Sequence, residues 1–334
     1  HVITANKALI AKHGNYLSLL AEKNKVNLEF EASVAGGIPI IRGIKEGLVS
    51  NKISKLIGIL NGTSNYILTE MEHSGKKFSD VLKEAQNSGF AEKNPKNDLN
   101  GNDVSSKIKI LSSLCFKSLI SNSKILTNGI ENIEVKDINI VKKLGYRIKL
   151  LGITEIINNN IFERVHPSLV RINSYIANIN GVFNATIISG KPVGQSVMQG
   201  EGAGPGPTTS SLISDLYSII RGNIKNPFIV PHSKRKKIKI YNYNNYIYAC
   251  YFRFEVKDKS GVLASITNIL AKNKISIETL IQDPNKKNKT ASIIIITHKT
   301  TEKRVINCIA SINKNKNIIK KPTFIRVGNF NDDW

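Results

Sequence analysis

A strand-like run, a helix-like run and a second strand-like run fit into the first 34 residues, and that order leaves few folds open. HVIT (1–4) reads as the end of a buried strand. NKALIAKHGNYLSLLAEKNK (6–25) sets Ala8, Leu9, Ala11, Leu17 and Leu20 at roughly helical spacing, and VNLEFEASV (26–34) alternates polar and apolar side chains. Two strands joined through a helix within about 35 residues form a βαβ unit, the building block of a parallel sheet. The run suits the second half of a dinucleotide-binding fold. The glycine-rich fingerprint belongs to the first half, and no G-x-G-x-x-G follows a strand here. With His1 at its start, the chain reads as a piece of a longer protein that lacks its N-terminal part.

The far end has its own pattern. YIYACYFRFEV, SGVLASITNILAKNK, ISIETLIQ, TASIIIITHKT, TEKRVINCIASINKN and KPTFIRV alternate as βαββαβ between 246 and 327, the ferredoxin-like plan. Residues 223–246, rich in Lys, Asn and Tyr with two prolines, read as a linker or an irregular cover. Four regions are therefore expected: 1–38, the end of a dinucleotide-binding domain; 39–222, an α+β domain that lends 200–222 back to the first; 223–246, the linker; and 247–330, the ferredoxin-like unit. Within the middle region, a helix should start near Pro39 and a strand should cover ISKLIGIL (53–60). Thr63 or Ser64 should cap a helix ending near Gly75, and Asn102 or Asp103 should cap the helix VSSKIKILSSLCF. GEGAGPGPTT should be a loop feeding a helix over SSLISDLYSII.

The net charge of +23 raises nucleic-acid binding as a function class. The lysines are dispersed except in SKRKKIKI (233–240), and few aromatics interleave with them, so no nucleic-acid partner is expected. Cys115, Cys250 and Cys308 lie far apart in apolar settings, which suits core residues in a reducing, cytoplasmic compartment. The histidines lack zinc-ligand spacing, and no apolar run is long enough for a membrane span.

Chemistry concentrates in GFAEKNPKNDLNGNDVSSK (89–107). Asp103 and Lys107 stand four apart and share a helix face. On spacing alone they are a surface ion pair. Gly89 and Gly101 let the chain turn, and Glu92 and Asp98 add carboxylates just upstream. A lysine held among carboxylates near a helix start can donate a proton to a developing alkoxide.

AQNSGFAEKNPKNDLNGNDVSSK (85–107) resembles the signature of the homoserine dehydrogenases. VITANKALIAKHG (2–14), EASVAGGIPI (31–40), NGTSNYIL (61–68), GYRIKLLGI (145–153) and VHPSLV (165–170) resemble the same family in the same order. DKSGVLASITNIL (258–270) resembles an ACT domain, and the pairing resembles the monofunctional bacterial type. The resemblance implies NAD- or NADP-dependent interconversion of L-aspartate 4-semialdehyde and L-homoserine. It implies Lys107 as general acid and base with Asp103 beside it, Glu92 and Asp98 as substrate-binding carboxylates, Lys7 near cofactor and substrate, and Gly204 on the nicotinamide side. It further implies a monovalent metal ion, usually sodium, at Glu31, Val34, Gly36 and Ile38. Oxygen ligands on a glycine-rich turn suit a hard cation, while Gly36 and Gly37 equally suit a plain strand-to-helix turn. An amino-acid effector, threonine first, is expected at Asp258–Val262, the alternative being a dimerisation module with an empty site. A homodimer or homotetramer is expected.

Overall fold

A computed structural model describes residues 1–222, 225–285 and 287–328. In chain order the elements are β1 (Val2–Ile3), α1 (Lys7–Lys23), β2 (Leu28–Glu29), α2 (Ile40–Arg42), β3 (Lys52–Ile59), α3 (Gly62–Ser74), α4 (Phe78–Asn87), α5 (Lys96–Leu99), α6 (Asn102–Phe116), β4 (Leu126–Thr127), α7 (Val135–Lys143), β5 (Tyr146–Ile157), β6 (Asn160–Arg171), β7 (Phe183–Lys191), β8 (Gly194–Glu201) and α8 (Pro205–Ile220). Then come β9 (Ile247–Lys257), α9 (Val262–Lys272), β10 (Ile277–Asn285), β11 (Thr290–Thr297), β12 (Thr300–Thr301), α10 (Glu302–Ile312) and β13 (Thr323–Val327). None of the described helices is long and apolar enough to cross a membrane.

The chain divides into two compact units: 1–131 with 149–166 and 175–241, and 132–148 with 167–174 and 242–334. In the first unit β1 and β2 pair in parallel around α1, as the opening pattern requires. α8 packs on β1 and on the turn over 31–33. The rest of this unit is built on β3, which runs antiparallel to β5 and β7, with β8 antiparallel to β7 at the edge. β8 was not anticipated, because QSVMQGE is largely polar and the strand is only half covered. α6 packs against β3, and its Val104, Ile108 and Leu111 are fully buried. The helix expected from Pro39 is only one short turn, followed by a wider π-type turn over Gly43–Gly47. Glycines at both ends of that stretch weaken α-helix propagation.

Residues 225–241 are the irregular cover and not a free connector. Leu119 N–H donates to the Lys236 carbonyl and Ile161 N–H to the Lys239 carbonyl. Arg235, 5% exposed, donates to the Ser18 hydroxyl at 2.8 Å. The segment is stitched to the first unit.

In the second unit the sheet order is β10–β11–β9–β13, the expected ferredoxin-like arrangement, with α9 and α10 covering a core that includes Phe252, Phe254, Ile266, Ile293 and Val305. Residues 132–148 belong here because of one buried cation. Arg253 on β9 is 1% exposed and meets Asp137 (2.6 Å), Glu134 (2.9 Å) and Glu255 (2.6 Å). A buried guanidinium needs such partners for its fork of donors, and two of the three carboxylates stand at the start of α7.

Candidate active site

The end of β3 organises the site. Leu60 and Asn61 lead into α3, and Asn61 is the N-cap: its Oδ1 accepts the Ser64 N–H at 2.8 Å. The hydroxyls expected to cap instead tie down the loop beyond α4. Thr63 donates to the Phe90 carbonyl at 2.7 Å and Ser64 to the Asp98 carbonyl at 2.8 Å. The second cap also differs from expectation. α6 is capped by Gly101 without a side-chain bond, because Asn102 follows an Asn100 side chain that takes its N–H and Asp103 turns inward. Gly101 sits at φ +82°, and a Cβ there would meet Thr127 at 2.9 Å and Val165 at 3.0 Å, so glycine is required.

Lys7, Asp98, Asp103 and Lys107 are brought together around Asn61. Lys107 Nζ lies 2.8 Å from Asp103 Oδ2 and donates to the Leu60 carbonyl at 2.6 Å. Lys7 Nζ lies 2.9 Å from Asp103 Oδ1. Asn61 Nδ2 donates to Asp98 Oδ1 at 2.7 Å and to Asp103 Oδ2 at 3.0 Å. Asp103 is 6% exposed and Lys107 8%, so this is no surface ion pair. An ammonium has three N–H donors. Two of those on Lys107 are committed to the protein among the described residues, which leaves one for a reacting oxygen.

The electrostatics follow from these contacts. Burial pushes the Asp103 carboxyl up, but the Lys107 and Lys7 ammoniums and the Asn61 donor outweigh it and hold it down at about 2. Burial also pulls Lys7 down, and Asp103 outweighs that, raising it. Asp98 moves the other way: burial raises it, the Asn61 bond opposes, and the Asp103 charge adds to the rise. Its Oδ2 has no protein partner among the described residues. Glu92 is exposed, and its side chain makes no ion pair among the described residues, yet its charge is felt by both Lys7 and Asp98. The arrangement offers open carboxylates that can take a ligand ammonium beside one ammonium with an N–H uncommitted among the described residues. Asn61 and the Leu60 carbonyl were not anticipated. The signals for Asn61 were its place just before a helix and at the head of the NGTSNYIL motif.

The other expected positions lie on the turn between β2 and α2 and at the start of α8. Glu31 is 3% exposed, and its carboxylate accepts the N–H groups of Ile41 (2.8 Å) and Arg42 (2.7 Å). Burial raises it to about 7 against the pull of those donors. Its own N–H donates to Asp215 on α8 at 3.0 Å. The Gly36 carbonyl accepts the Ser211 hydroxyl at 2.5 Å, and the Ile38 carbonyl accepts the Ile40 N–H. Val34 and Ile38 are buried. Gly204, at φ +112°, is the N-cap of α8, a backbone angle that disfavours a side chain. In the second unit, the β9–α9 turn borders a cavity of about 300 Å³ lined by residues including Asp258, Ser260, Gly261 and Gln282.

Comparison with known proteins adds a family. A family model described as homoserine dehydrogenase matches residues 39–217, and one described as ACT domain matches 251–313. The chain is 41% identical to a homoserine dehydrogenase of Neisseria gonorrhoeae, over 99% of this chain and 78% of that protein. It is similar to the crystal structure of a homoserine dehydrogenase from Thiobacillus denitrificans, with a TM-score of 0.91 at 40% identity, over 98% of this chain and 76% of that one. A more distant likeness, with a TM-score of 0.58 at 26% identity over 67% of this chain and 65% of that one, is to a hyperthermophilic archaeal homoserine dehydrogenase mutant in complex with NADPH.

Proposed function

The chain belongs to the homoserine dehydrogenase family, and on that premise we propose that the cluster around Asn61 is where its reaction takes place. The activity is the NAD(P)-dependent interconversion of L-homoserine and L-aspartate 4-semialdehyde. The observation that carries the site assignment is Lys107. It is a buried ammonium with one uncommitted N–H, fixed by a carboxylate and a carbonyl and flanked by open carboxylates. In the reducing direction Lys107 donates its proton to the substrate oxygen as negative charge grows there. Asp103 holds the ammonium in place and keeps its charge compensated. Asp98 and Glu92, with oxygens free of protein partners, receive the substrate amino group. Lys7, half-exposed and fixed on Asp103, is the residue we assign to both substrate and cofactor.

A nicotinamide cofactor, NADP or NAD, supplies or removes the hydride at the substrate carbon. The NADPH complex of the archaeal neighbour supports that class of cofactor. Gly204, with its open backbone at the start of α8, and Lys7 are the residues of this chain we assign to it. For a monovalent cation, which none of the steps above uses, we assign the Glu31 carboxylate with the Val34, Gly36 and Ile38 carbonyls, hard oxygens on one turn. In the second unit we assign the β9–α9 turn to an amino-acid effector, threonine first. Support comes from the cavity beside Asp258 and Gly261 and from the ACT match.

The test of the activity is direct. Purified full-length protein should reduce NADP+ or NAD+ only when L-homoserine is supplied, followed by the nicotinamide absorbance. No homoserine-dependent turnover with either cofactor would overturn the reading.

A further inference from the structure

We propose that Asn61 is a positioning residue for the reaction: its single carboxamide lies between Asp98 and Asp103 and sets both carboxylates relative to Lys107. The proposal rests on the assignment of Lys107 and Asp103 given above.

The two carboxylates come from different short-range settings, Asp98 from α5 and Asp103 from the first turn of α6. Each carries negative charge, and Asp103 acts on Asp98 unfavourably. Without a donor between them they would turn apart. Asn61 Nδ2 supplies that donor twice, at 2.7 Å to Asp98 Oδ1 and at 3.0 Å to Asp103 Oδ2. Both of its protons are thereby used, and its oxygen takes the Ser64 N–H. The side chain is 6% exposed, and all three bonds are made in one orientation, so none can be exchanged without losing another. Since neither N–H remains for a substrate, Asn61 acts through the carboxylates. The residue before it completes the arrangement, because the Leu60 carbonyl takes an N–H of Lys107. Two consecutive positions at the end of β3 thus fix both the proton donor and its neighbours.

The residue type is informative. A helix cap alone is served about equally by Asp, Ser or Asn, and nearly so by Thr. Among these only Asn adds two N–H donors to its acceptor. Capping and clamping can therefore be separated by substitution. Asn61→Asp keeps the shape and the capping oxygen but replaces the donor with an acceptor. Asn61→Ser keeps a capping oxygen and adds no charge, which guards against a third carboxylate unfolding the site.

The experiment measures kcat/KM for homoserine across pH, with a thermal melt, for the parent, Asn61→Asp, Asn61→Ser and Lys107→Ala. Both Asn61 variants should lose about tenfold to a hundredfold in kcat/KM, the scale of a lost hydrogen bond to a charged group. The acid limb of the profile should move to higher pH by about one unit, because the carboxylates lose their shared donor. The Asn61→Ser protein should melt only a few degrees below the parent, since it keeps the capping oxygen while Lys107 and Lys7 still hold Asp103. If both Asn61 variants keep activity within threefold while Lys107→Ala is inactive, the positioning role is overturned. It is overturned equally if activity falls only in step with melting temperature and the pH profile stays in place, since that is a cap and nothing more. If Lys107→Ala is itself active, the failure is that of the site assignment.

Discussion

Replacing Lys107 with alanine should damage both rate and stability, and the structure gives the scale of each. General acid catalysis is worth about 10²–10⁴-fold, so kcat should fall within that range while KM changes little. The stability term comes through Asp103. Its carboxyl is held at about 2 against an ordinary 3.8, a difference of about 2.4 kcal/mol at 1.36 kcal/mol per pH unit. Lys107 shares that stabilisation with Lys7 at 2.9 Å and Asn61 at 3.0 Å, so about half should leave with the Lys107 ammonium. A carboxylate stripped of one partner in a buried place adds a further penalty. Together we expect a loss of about 2 kcal/mol and a melting temperature lower by about 4–8 °C. Pairing Lys107→Ala with Asp103→Asn removes the stranded charge, so the double variant should recover much of the melting temperature and none of the rate. Steady-state kinetics and thermal melts on the two proteins provide the check. A Lys107→Ala protein with kcat within fivefold of the parent would refute the proton-donor role. A double variant no more stable than the single one would refute the electrostatic account.

Three further outcomes follow from the same geometry. Glu92→Gln should raise KM for homoserine about tenfold with kcat and melting temperature little changed, because Glu92 is exposed and makes no ion pair among the described residues; kinetics and a melt decide it. Asp103 has a depressed folded value, so its stabilisation is whole above about 3.8 and is lost as pH falls toward 2; acid unfolding followed by circular dichroism should be less steep in that window for Asp103→Asn. Threonine should inhibit the full-length enzyme, and Asp258→Ala, at the cavity beside the β9–α9 turn, should weaken that inhibition about tenfold without changing uninhibited turnover, as read from inhibition curves on both proteins.

What could be read from the chain before folding was whatever repeats within a few residues. The helical spacing of α1 and the βαββαβ alternation near the end of the chain are local periods, and both appear where the pattern put them. The Asp103–Lys107 spacing is local as well, so the pair was legible, but its burial was not. Spacing alone favoured a solvated ion pair; the covering comes from elements far along the chain, and with it the expectation that losing Lys107 costs stability. Asn61 shows the same limit. Its bond to Asp103 spans 42 residues, and the NGTSNYIL motif that it opens does not tell which side chains it meets. Arg253 reaches Asp137 across 116 residues, and that pairing draws 132–148 into the C-terminal unit although the periodicity there reads as an ordinary helix. The 225–241 segment has no period, so linker and irregular cover read alike; its backbone hydrogen bonds to Leu119 and Ile161 decide for the cover. These cases share a cause. Periodic elements bury their apolar faces and leave their ends with unmet donors and acceptors. At the end of β3 the Leu60 carbonyl meets the Lys107 ammonium, at α5 the Asp98 carbonyl meets the Ser64 hydroxyl, and the proposed site forms where the periods stop. A sequence can therefore point to Lys107 by its spacing while concealing Asn61, whose role exists only once three element ends have met.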